Sequence, residues 1–440
     1  MNRLLIAGTN SGCGKTTVTC ALLAALKDRG IATTAFKCGP DYIDPMFHKA
    51  VSGMKAYHLD PFFLDGEGLR SHLASHAGTL SVMEGAMGYY DGIAATNESS
   101  AYTVARETQT PVVLVVSARG VGSSLGAVIE GFARHRPDSH IEGVIFNDAS
   151  ETRYPDLKRI AENAGVRAYG TMPHREEWAL PSRHLGLLSA GEIEDLQYKL
   201  AELRRQAEQS LDIDGLLALA ETPLDLIRTA GANPQRAARV RLAVARDEAF
   251  CFFYEENLEL LQALGCELLF FSPLKDGALP ANIDGLYLCG GYPELHAETL
   301  TGNSSMMESM RQAIENGLPT IAECGGFLVL HEALDGVPMC GVIHSVAFET
   351  KKLQRFGYIT LTAGCDNLLC KAGDSIRAHE FHYWDSSSPG GSFTARKAGR
   401  EISYSCVHAT DSLYAGFPHL YFPANPAFAE CFVERMAQYV

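Results

Sequence analysis

The chain has 440 residues, enough for two domains of ordinary size, and its net charge of −15 argues against a general nucleic-acid binder, which would present a basic face. An apolar fraction of 46% with 20% charged residues is typical of a soluble globular protein, and no apolar run approaches the roughly 20 residues of a membrane-spanning helix. Twelve scattered cysteines without zinc-like spacing favour reduced thiols in a cytoplasm, and the first residues do not resemble a signal peptide.

Short apolar segments of strand length recur along the chain, with helical segments between them. The first half contains RLLIAG, LSVMEG, PVVLVVS and IEGVIFN, and the second half contains RLAVAR, CELLFFS, GLYLCGG and TIAECGG. Several of these segments are continuously apolar, which is typical of strands buried on both faces of a parallel sheet. The pattern therefore predicts an α/β fold.

A different kind of sequence separates the two sets of strands. Residues 190–222 are rich in helix formers, and the polar stretch 229–239 follows before a fresh apolar strand begins. These changes in composition predict a domain boundary near residues 225–240. We therefore expect one domain over 1–230 and a second over 240–440.

The stretch GTNSGCGKTT lies where the first predicted strand gives way to a helix. Small residues let backbone N–H groups point at phosphate oxygens, and the helix N-terminus adds its dipole. Lys15 is predicted to reach the β- and γ-phosphates, and the Thr16 hydroxyl to bind Mg²⁺. The strict phosphate-loop pattern has Gly where Thr9 stands, so this is a variant loop, and an ordinary Gly-rich turn is the alternative. The predicted nucleotide-binding residues are Gly8, Thr9, Asn10, Ser11, Gly12, Cys13, Gly14, Lys15, Thr16 and Thr17.

Charged side chains follow two further predicted strands. Glu84 ends an apolar strand and Asp91 comes later in the same loop, whereas Asp41 and Asp44 follow the second strand, close to Lys37. Because parallel strands gather functional groups at their carboxyl ends, we expect these side chains near the phosphate loop. Mg²⁺ requires oxygen ligands, which carboxylates supply. For any one of these acids, the alternative is a solvated loop residue.

Cys324 lies in GLPTIAECGGFLVLHEAL, which reads as a strand, a sharp turn and a helix with the cysteine at the turn. Small neighbours allow such a turn and expose the nucleophile, and a helix N-terminus favours the thiolate. The Gly-rich loop YLCGGYPE contains Gly291. The backbone N–H of Gly291 is expected to form an oxyanion hole together with that of Gly325, the residue after Cys324. The alternative is a buried structural thiol.

A cysteine nucleophile needs a base, and His419 is the candidate because it follows a short apolar strand near the end of the chain. His408 is the main rival in the same region. A carboxylate two residues after His419 would complete a triad, but Tyr421 occupies that position. The sequence therefore leaves the third member of the Cys–His pair open.

A series of blocks in one order carries a resemblance to a known family. They are AGTNSGCGKTTVT, FKCGPDYIDP, MEGAMGYYDG, LPSRHLGL, VARDEAFCFFYEENLELL, FFSPLKD, GGYPELHAETL, AECGGFLVL and RAHEFHY. With them, the chain resembles over essentially its full length the cobyrinic acid a,c-diamide synthases, which are glutamine-dependent enzymes of corrin (vitamin B12) biosynthesis. It departs from the family pattern at Ile43, Ser182, Ala378 and Tyr421, where Leu, Glu, Gly and His are usual.

The resemblance implies a P-loop synthetase domain similar to dethiobiotin synthetase, followed by a class I glutamine amidotransferase domain of flavodoxin-like fold. It implies that Cys324 attacks the side-chain amide of L-glutamine with help from His419. ATP and Mg²⁺ then phosphorylate a carboxylate of cobyrinic acid or a related tetrapyrrole polycarboxylate, and the released ammonia displaces the phosphate.

The resemblance also assigns residues in the first domain. The expected metal ligands are Thr16, Asp41 and Glu84. Lys37 and Asp91 are expected to handle phosphate and carboxylate. The resemblance further implies that Tyr42, Ile43 and Asp44 bear on which carboxylate is presented. Independently of it, a substrate with several carboxylates needs cationic partners, and the candidates are Lys37, Arg183, His184 and, in the second domain, Arg377. For each of these four residues the alternative is a structural role.

Two alternative functions stay open at this point. The first is the same chemistry on nickel-sirohydrochlorin, a different tetrapyrrole. The second belongs to another class, a P-loop regulatory ATPase that carries an inactive amidase module. Neither nucleic acid nor a membrane is an expected partner, and the sequence leaves a homodimer open.

Overall fold

The structure is a computed structural model that describes residues 1–178, 195–223, 226 and 239–439, together with the backbone of 182–183 and 186–187. The chain divides into two compact units, residues 1–231 and residues 232–440. Each unit buries its own hydrophobic core against a central sheet.

The first unit alternates strands with helices. Its strands are β1 Asn2–Gly8, β2 Thr33–Lys37, β3 Ala56–His58, β4 Leu80–Glu84, β5 Val112–Ser117, β6 Ile141–Asn147, β7 Arg167–Met172, β8 Ser182–Arg183 and β9 Gly186–Leu187. Its helices are α1 Lys15–Asp28, α2 Ile43–Ser52, α3 Gly66–His76, α4 Ala101–Thr108, α5 Ser124–Arg134, α6 Tyr154–Asn163, α7 Leu196–Ser210 and α8 Ile213–Ala220.

Strands β1 to β7 form one parallel sheet in the order β3-β2-β4-β1-β5-β6-β7. Six of the seven residues of β1 are buried, because helices cover both faces of a parallel sheet. Helix α1 follows β1 and packs against α2 and α7, which explains why most of its length is apolar. The order places the carboxyl ends of β2, β4 and β1 side by side, and the predicted acids follow these strands.

The second unit contains the remaining elements. Its strands are β10 Val240–Ala245, β11 Cys266–Phe271, β12 Gly285–Leu288, β13 Thr320–Glu323, β14 His331–Leu334, β15 Val337–Pro338, β16 Ile343–Glu349, β17 Arg355–Ala363, β18 Ser375–His382, β19 Trp384–Ser386, β20 Phe393–Lys397, β21 Ser403–Cys406, β22 His408–Ala409, β23 Leu413–Gly416 and β24 His419–Leu420. Its helices are α9 Glu255–Leu264, α10 Ala297–Gly302, α11 Ser304–Glu315, α12 Gly325–Val329 and α13 Ala427–Gln438.

The central sheet of this unit has the order β11-β10-β12-β13-β23-β22, and its pairs are parallel except for β22 with β23. Further strands form smaller sheets in the orders β15-β14-β16-β19 and β21-β20-β17-β18-β24. The α/β class predicted for both halves of the chain is confirmed. The eight apolar segments quoted from the sequence all correspond to strands of the two central sheets.

All twelve cysteines are free thiols, and nine of them are buried. Among the helices that the structure describes, none has the length and apolar character needed to cross a bilayer.

Candidate functional site

The Gly-rich loop of the first unit is closely packed between β1 and α1. A Cβ atom added at Gly8 would lie 2.4 Å from the Sγ of Cys13, and one added at Gly14 would lie 2.2 Å from the Nδ2 of Asn147. Gly14 also has a φ of 97°, a backbone conformation that favours glycine. Lys15 is buried at the start of α1 and donates a hydrogen bond to the carbonyl of Asn10 across the loop, at 2.9 Å. The loop therefore has the form of a phosphate cradle at a helix N-terminus.

A buried polar cluster lies beside this loop, at the carboxyl ends of β2 and β4. The Thr16 Oγ1 atom is 2.7 Å from Glu84 Oε1 and 3.3 Å from Asp44 Oδ1. The Lys37 ammonium donates to Glu84 Oε1 at 3.0 Å and contacts Asp44 Oδ2. We call these four side chains the acid cluster. The ends of β2 and β4, the first turn of α2 and the beginning of α1 thus bring together a hydroxyl, an ammonium and two carboxyl groups.

The charges within the acid cluster shift one another. Burial opposes ionisation of Glu84, but the charge of Lys37 and the hydrogen bond from His48 outweigh it and lower the pKa of Glu84. Burial, Asp41 and Glu84 together raise the pKa of Asp44. Glu84 is therefore the carboxylate of the pair that stays ionised, and it supplies a fixed negative charge beside Thr16.

Asp41 and Asp44 make different contacts. Asp41 Oδ1 accepts the backbone N–H of Ile43 at 2.8 Å and that of Asp44 at 3.3 Å, at the beginning of α2. Asp44, for which the resemblance implies a part in substrate recognition, lies within the acid cluster. Tyr42 and Ile43 lie at the first turn of the same helix, and Ile43 is buried.

Other predicted residues of this unit lie around the same edge or outside the described part. Asp91 is exposed, and its Oδ2 atom accepts the backbone N–H of Gly88 at 2.8 Å. A Cβ atom at Gly88 would lie 2.9 Å from the Thr9 carbonyl, so this loop touches the phosphate loop. The Arg183 side chain and His184 lie outside the described residues.

Two buried residues at this site were not singled out from the sequence. His48 lies four residues after Asp44 in α2, and its Nε2 atom is 2.7 Å from Glu84 Oε2. The four-residue spacing on one helix face was the available signal. Asn147 is the last residue of β6 and presents its amide to Gly14, and its position at a strand end was the corresponding signal.

In the second unit, Cys324 stands at a sharp turn between β13 and α12. Its φ is 48° and its ψ −102°, a strained backbone for a residue with a Cβ, and its N–H donates to the Gly416 carbonyl at 2.8 Å. The following residues must be small, because a Cβ atom at Gly326 would lie 2.2 Å from the Leu288 carbonyl oxygen. This is the geometry of a nucleophile elbow.

The structure contradicts the expectation that the helix N-terminus stabilises a thiolate at Cys324. Burial and the charge of Glu294 raise the pKa of Cys324, and the backbone N–H of Gly325 offsets only part of this effect. Helix α12 has five residues, so its dipole is small. Cys324 is therefore a neutral thiol at rest and needs a base to become a nucleophile.

The two predicted oxyanion-hole glycines are neighbours. A Cβ atom at Gly325 would lie 3.0 Å from the backbone nitrogen of Gly291. Gly291 is itself pressed against Ala249, because a Cβ atom there would lie 2.1 Å from the Ala249 carbonyl oxygen. Gly291 and Gly325 are therefore in close contact beside Cys324, and the predicted oxyanion hole stays a prediction.

His419 belongs to the same region. It is buried, and its Cε1 atom would be 2.4 Å from a Cβ atom at Gly290, the residue before Gly291. Burial, with a contribution from His382, lowers the pKa of His419 to about 3, so it is a neutral imidazole that can accept a proton. The rival His408 instead has its Nε2 atom 2.8 Å from the carbonyl oxygen of Ser388.

The close approach of Gly290 to His419 leads to a prediction. Gly290→Ala should lower about 100-fold the kcat of the glutamine hydrolysis that the resemblance implies, because the new methyl group displaces the imidazole by about an ångström. The matched control is Gly302→Ala, since a Cβ atom there meets nothing within 4 Å. Steady-state assays of glutamate release check this. Wild-type kcat in Gly290→Ala would show that His419 has no part in the reaction.

A phosphate loop with an acid cluster in one unit and a cysteine elbow with a buried histidine in the other are the sites expected of a chain that joins a nucleotide-binding domain to an amidotransferase domain. Residues 4–188 match the family model described as the CobQ/CobB/MinD/ParA nucleotide binding domain. Residues 241–427 match the model described as the CobB/CobQ-like glutamine amidotransferase domain.

Curated relatives match nearly the whole chain. The chain is 38% identical to the cobyrinate a,c-diamide synthase of Caldanaerobacter subterraneus subsp. tengcongensis, over 94% of each sequence. It is 37% identical to the synthase of that name from Clostridium acetobutylicum, over 97% of this chain and 98% of the relative. It is 36% identical to the synthase of that name from Thermoplasma volcanium, over 99% of this chain and 98% of the relative. The chain therefore belongs to the cobyrinate a,c-diamide synthase family, as the sequence blocks indicated.

Proposed function

We propose that the chain amidates the a- and c-carboxylates of cobyrinic acid in a reaction that consumes ATP and glutamine. The observation that carries this proposal is the likeness over nearly the full chain to synthases named for that product. The proposal assigns the synthetase half to residues 1–230 and the amidotransferase half to residues 240–440. The free thiols of the chain fit a reducing compartment, and we propose the cytoplasm.

In the amidotransferase half, His419 takes the thiol proton of Cys324, and the sulfur attacks the side-chain amide carbon of glutamine. The backbone N–H groups of Gly291 and Gly325 stabilise the oxyanion of the tetrahedral intermediate. The proton on His419 passes to the leaving nitrogen, so that ammonia departs and a γ-glutamyl thioester remains. Water then hydrolyses the thioester to glutamate and restores the thiol. The neutral thiol of Cys324 and the neutral imidazole of His419 are the forms from which this sequence of steps begins.

In the synthetase half, the loop over residues 8–17 holds the phosphates of ATP, with the ammonium of Lys15 among them. A carboxylate of the substrate attacks the γ-phosphorus and ADP leaves, which gives an acyl phosphate. Ammonia then attacks the acyl carbon and inorganic phosphate departs. The activation is necessary because a free carboxylate does not condense usefully with ammonia in water, and the acyl phosphate must be sheltered from hydrolysis.

The donor set beside the phosphate loop fits Mg²⁺. Within the described residues no group of three or more His, Cys, Asp or Glu side chains is arranged to hold a metal ion. Mg²⁺ commonly uses only one or two carboxylates together with substrate phosphates and water, and Thr16 with Glu84 offers such a partial shell. Bound there, the ion would neutralise charge on the transferred phosphoryl group. We propose Thr16, Glu84 and the nearby Asp41 as its protein ligands.

The remaining predicted residues are proposed to position the substrate. Lys37 and Asp91 would handle the phosphate and the carboxylate under attack. Lys37 already contacts both acids of the acid cluster, so it is suited to a substrate anion only when one of these contacts is released. The residues proposed for tetrapyrrole recognition are Tyr42, Ile43, Asp44, Arg183 and His184.

The experiment that tests the function is incubation of the full chain with ATP, MgCl₂ and glutamine labelled with ¹⁵N in its side chain. Cobyrinic acid and nickel-sirohydrochlorin are supplied in parallel, and products are analysed by mass spectrometry. We expect two labelled amides on cobyrinic acid. Amidation of the nickel compound alone would favour the alternative substrate. ATP hydrolysis without any labelled product would favour the regulatory ATPase.

A further inference from the structure

The position two residues after His419 is taken by Tyr421, which is buried and packs edge-on against the ring of Tyr254 with the centroids 5.0 Å apart. A tyrosine in this aromatic contact cannot serve as the carboxylate partner of an imidazole. The third member of the Cys–His pair must therefore come from another element of the fold, if there is one.

A buried carboxylate faces His419 from the strand that carries the nucleophile. Glu323 is the last residue of β13, directly before Cys324, and its Oε2 atom is 3.9 Å from the Nδ1 atom of His419. The exposed fractions of the two side chains are 2% and 3%, so solvent screens the pair little.

Two further contacts hold the Glu323 carboxylate in place. Its Oε1 atom accepts the backbone N–H of Leu420 at 3.0 Å, which ties it to the residue after His419. Its Oε2 atom accepts the hydroxyl of Tyr287 at 2.9 Å. The carboxylate is therefore fixed to both the strand of the histidine and the strand β12.

We propose that Glu323 is the positioning carboxylate of His419, a role that rests on the proposed amidase function. The negative charge of a carboxylate 3.9 Å from Nδ1 favours the tautomer with hydrogen on that atom, which leaves Nε2 without hydrogen and able to take the Cys324 proton. When that proton arrives, the imidazolium and the carboxylate form an ion pair. Glu323 thus has, from the strand before the nucleophile, the role that a carboxylate two residues after the histidine would have.

The surroundings of Glu323 determine how this role depends on pH. The titratable groups around it are Tyr287 on β12, Cys289 after β12, Tyr414 on β23, Cys324 and His419. Burial raises the pKa of Glu323 to about 8, and hydrogen bonds from Leu420 and Tyr287 reduce the shift. The carboxylate form therefore increases as the pH rises from 7 to 9, and kcat for glutamine hydrolysis should increase with it.

The test compares Glu323→Gln with Glu323→Asp and with Tyr287→Phe in the full chain. We expect Glu323→Gln to lower kcat for glutamine hydrolysis about 100-fold with KM for glutamine little changed, and to abolish the rise between pH 7 and 9. Glu323→Asp keeps a carboxylate and should recover part of kcat and the pH dependence. Tyr287→Phe removes one hydrogen bond to the Glu323 carboxylate but leaves the carboxylate and its contact with Leu420, so it should lower kcat less than Glu323→Gln does.

The thermal unfolding midpoint reports whether each variant is intact, because Glu323 and Tyr287 lie in the second unit. Amidation supported by ammonium chloride, which uses only the first unit, should stay at the wild-type level in all three. Wild-type kcat and pH dependence in Glu323→Gln would overturn the inference. Equal losses in all three variants would also overturn it, because they would show that any disturbance of the buried network is sufficient. Absence of glutamine hydrolysis in the wild-type chain would instead refute the proposed function.

Discussion

Cys324→Ala is expected to abolish glutamine hydrolysis and glutamine-dependent amidation, while amidation supported by ammonium chloride survives. The substitution removes the only atom that forms the thioester, and loss of a nucleophile typically costs at least about 10⁴-fold in kcat. The side chain is small and stands at a turn already held by the backbone, so alanine retains the fold. Glutamate release and amide formation are measured in the same preparation, with glutamine or ammonium chloride as nitrogen source.

Cys365→Ala is the matched control for this experiment. It removes an exposed thiol instead of the buried one at the elbow, and both activities should stay at the wild-type level. If Cys324→Ala still hydrolysed glutamine, the nucleophile would be another residue. If it lost the ammonium-supported reaction as well, the two activities would not be separable as proposed.

Glu84→Gln is expected to abolish amidation with either nitrogen source while glutamine hydrolysis continues. Glu84 is the ionised carboxylate of the acid cluster, and the amide keeps its size but loses its charge beside Thr16 and Lys37. Removal of one charged group that stabilises a phosphoryl-transfer site typically costs about 10³-fold. Hydrolysis persists because Cys324 and His419 belong to the other unit.

Glu130→Gln is the corresponding control, because Glu130 forms an exposed ion pair with Arg134 that should contribute little. Amide product, glutamate release and the thermal unfolding midpoint are recorded for each variant. Retained ammonium-supported amidation in Glu84→Gln would show that the residue has no role in acid activation. Parallel loss of both activities at an unchanged unfolding midpoint would show that the sites are not independent.

Much of the fold was predictable because its signals are local. Continuous apolar segments such as that of β5 indicated buried parallel strands, and both reactive loops follow strands that the pattern identified. The phosphate loop and the cysteine elbow are contiguous in sequence, so their residue types and spacing were visible without coordinates. Local signals were misleading at Cys324, where burial and the charge of Glu294, which is remote in sequence, outweigh the effect of the helix N-terminus on the thiol pKa.

The amino-acid sequence alone was thus enough to predict the α/β class, the phosphate loop, the elbow and the family. It could not distinguish Asp44 from Asp41, or bring His48 to Glu84 and Glu323 to His419. Those pairings depend on the order of strands in each sheet, on the direction in which each side chain points, and on burial. Residues 36 or 96 positions apart become neighbours only when the sheets form, and the low-dielectric interior then sets which of them carry charge.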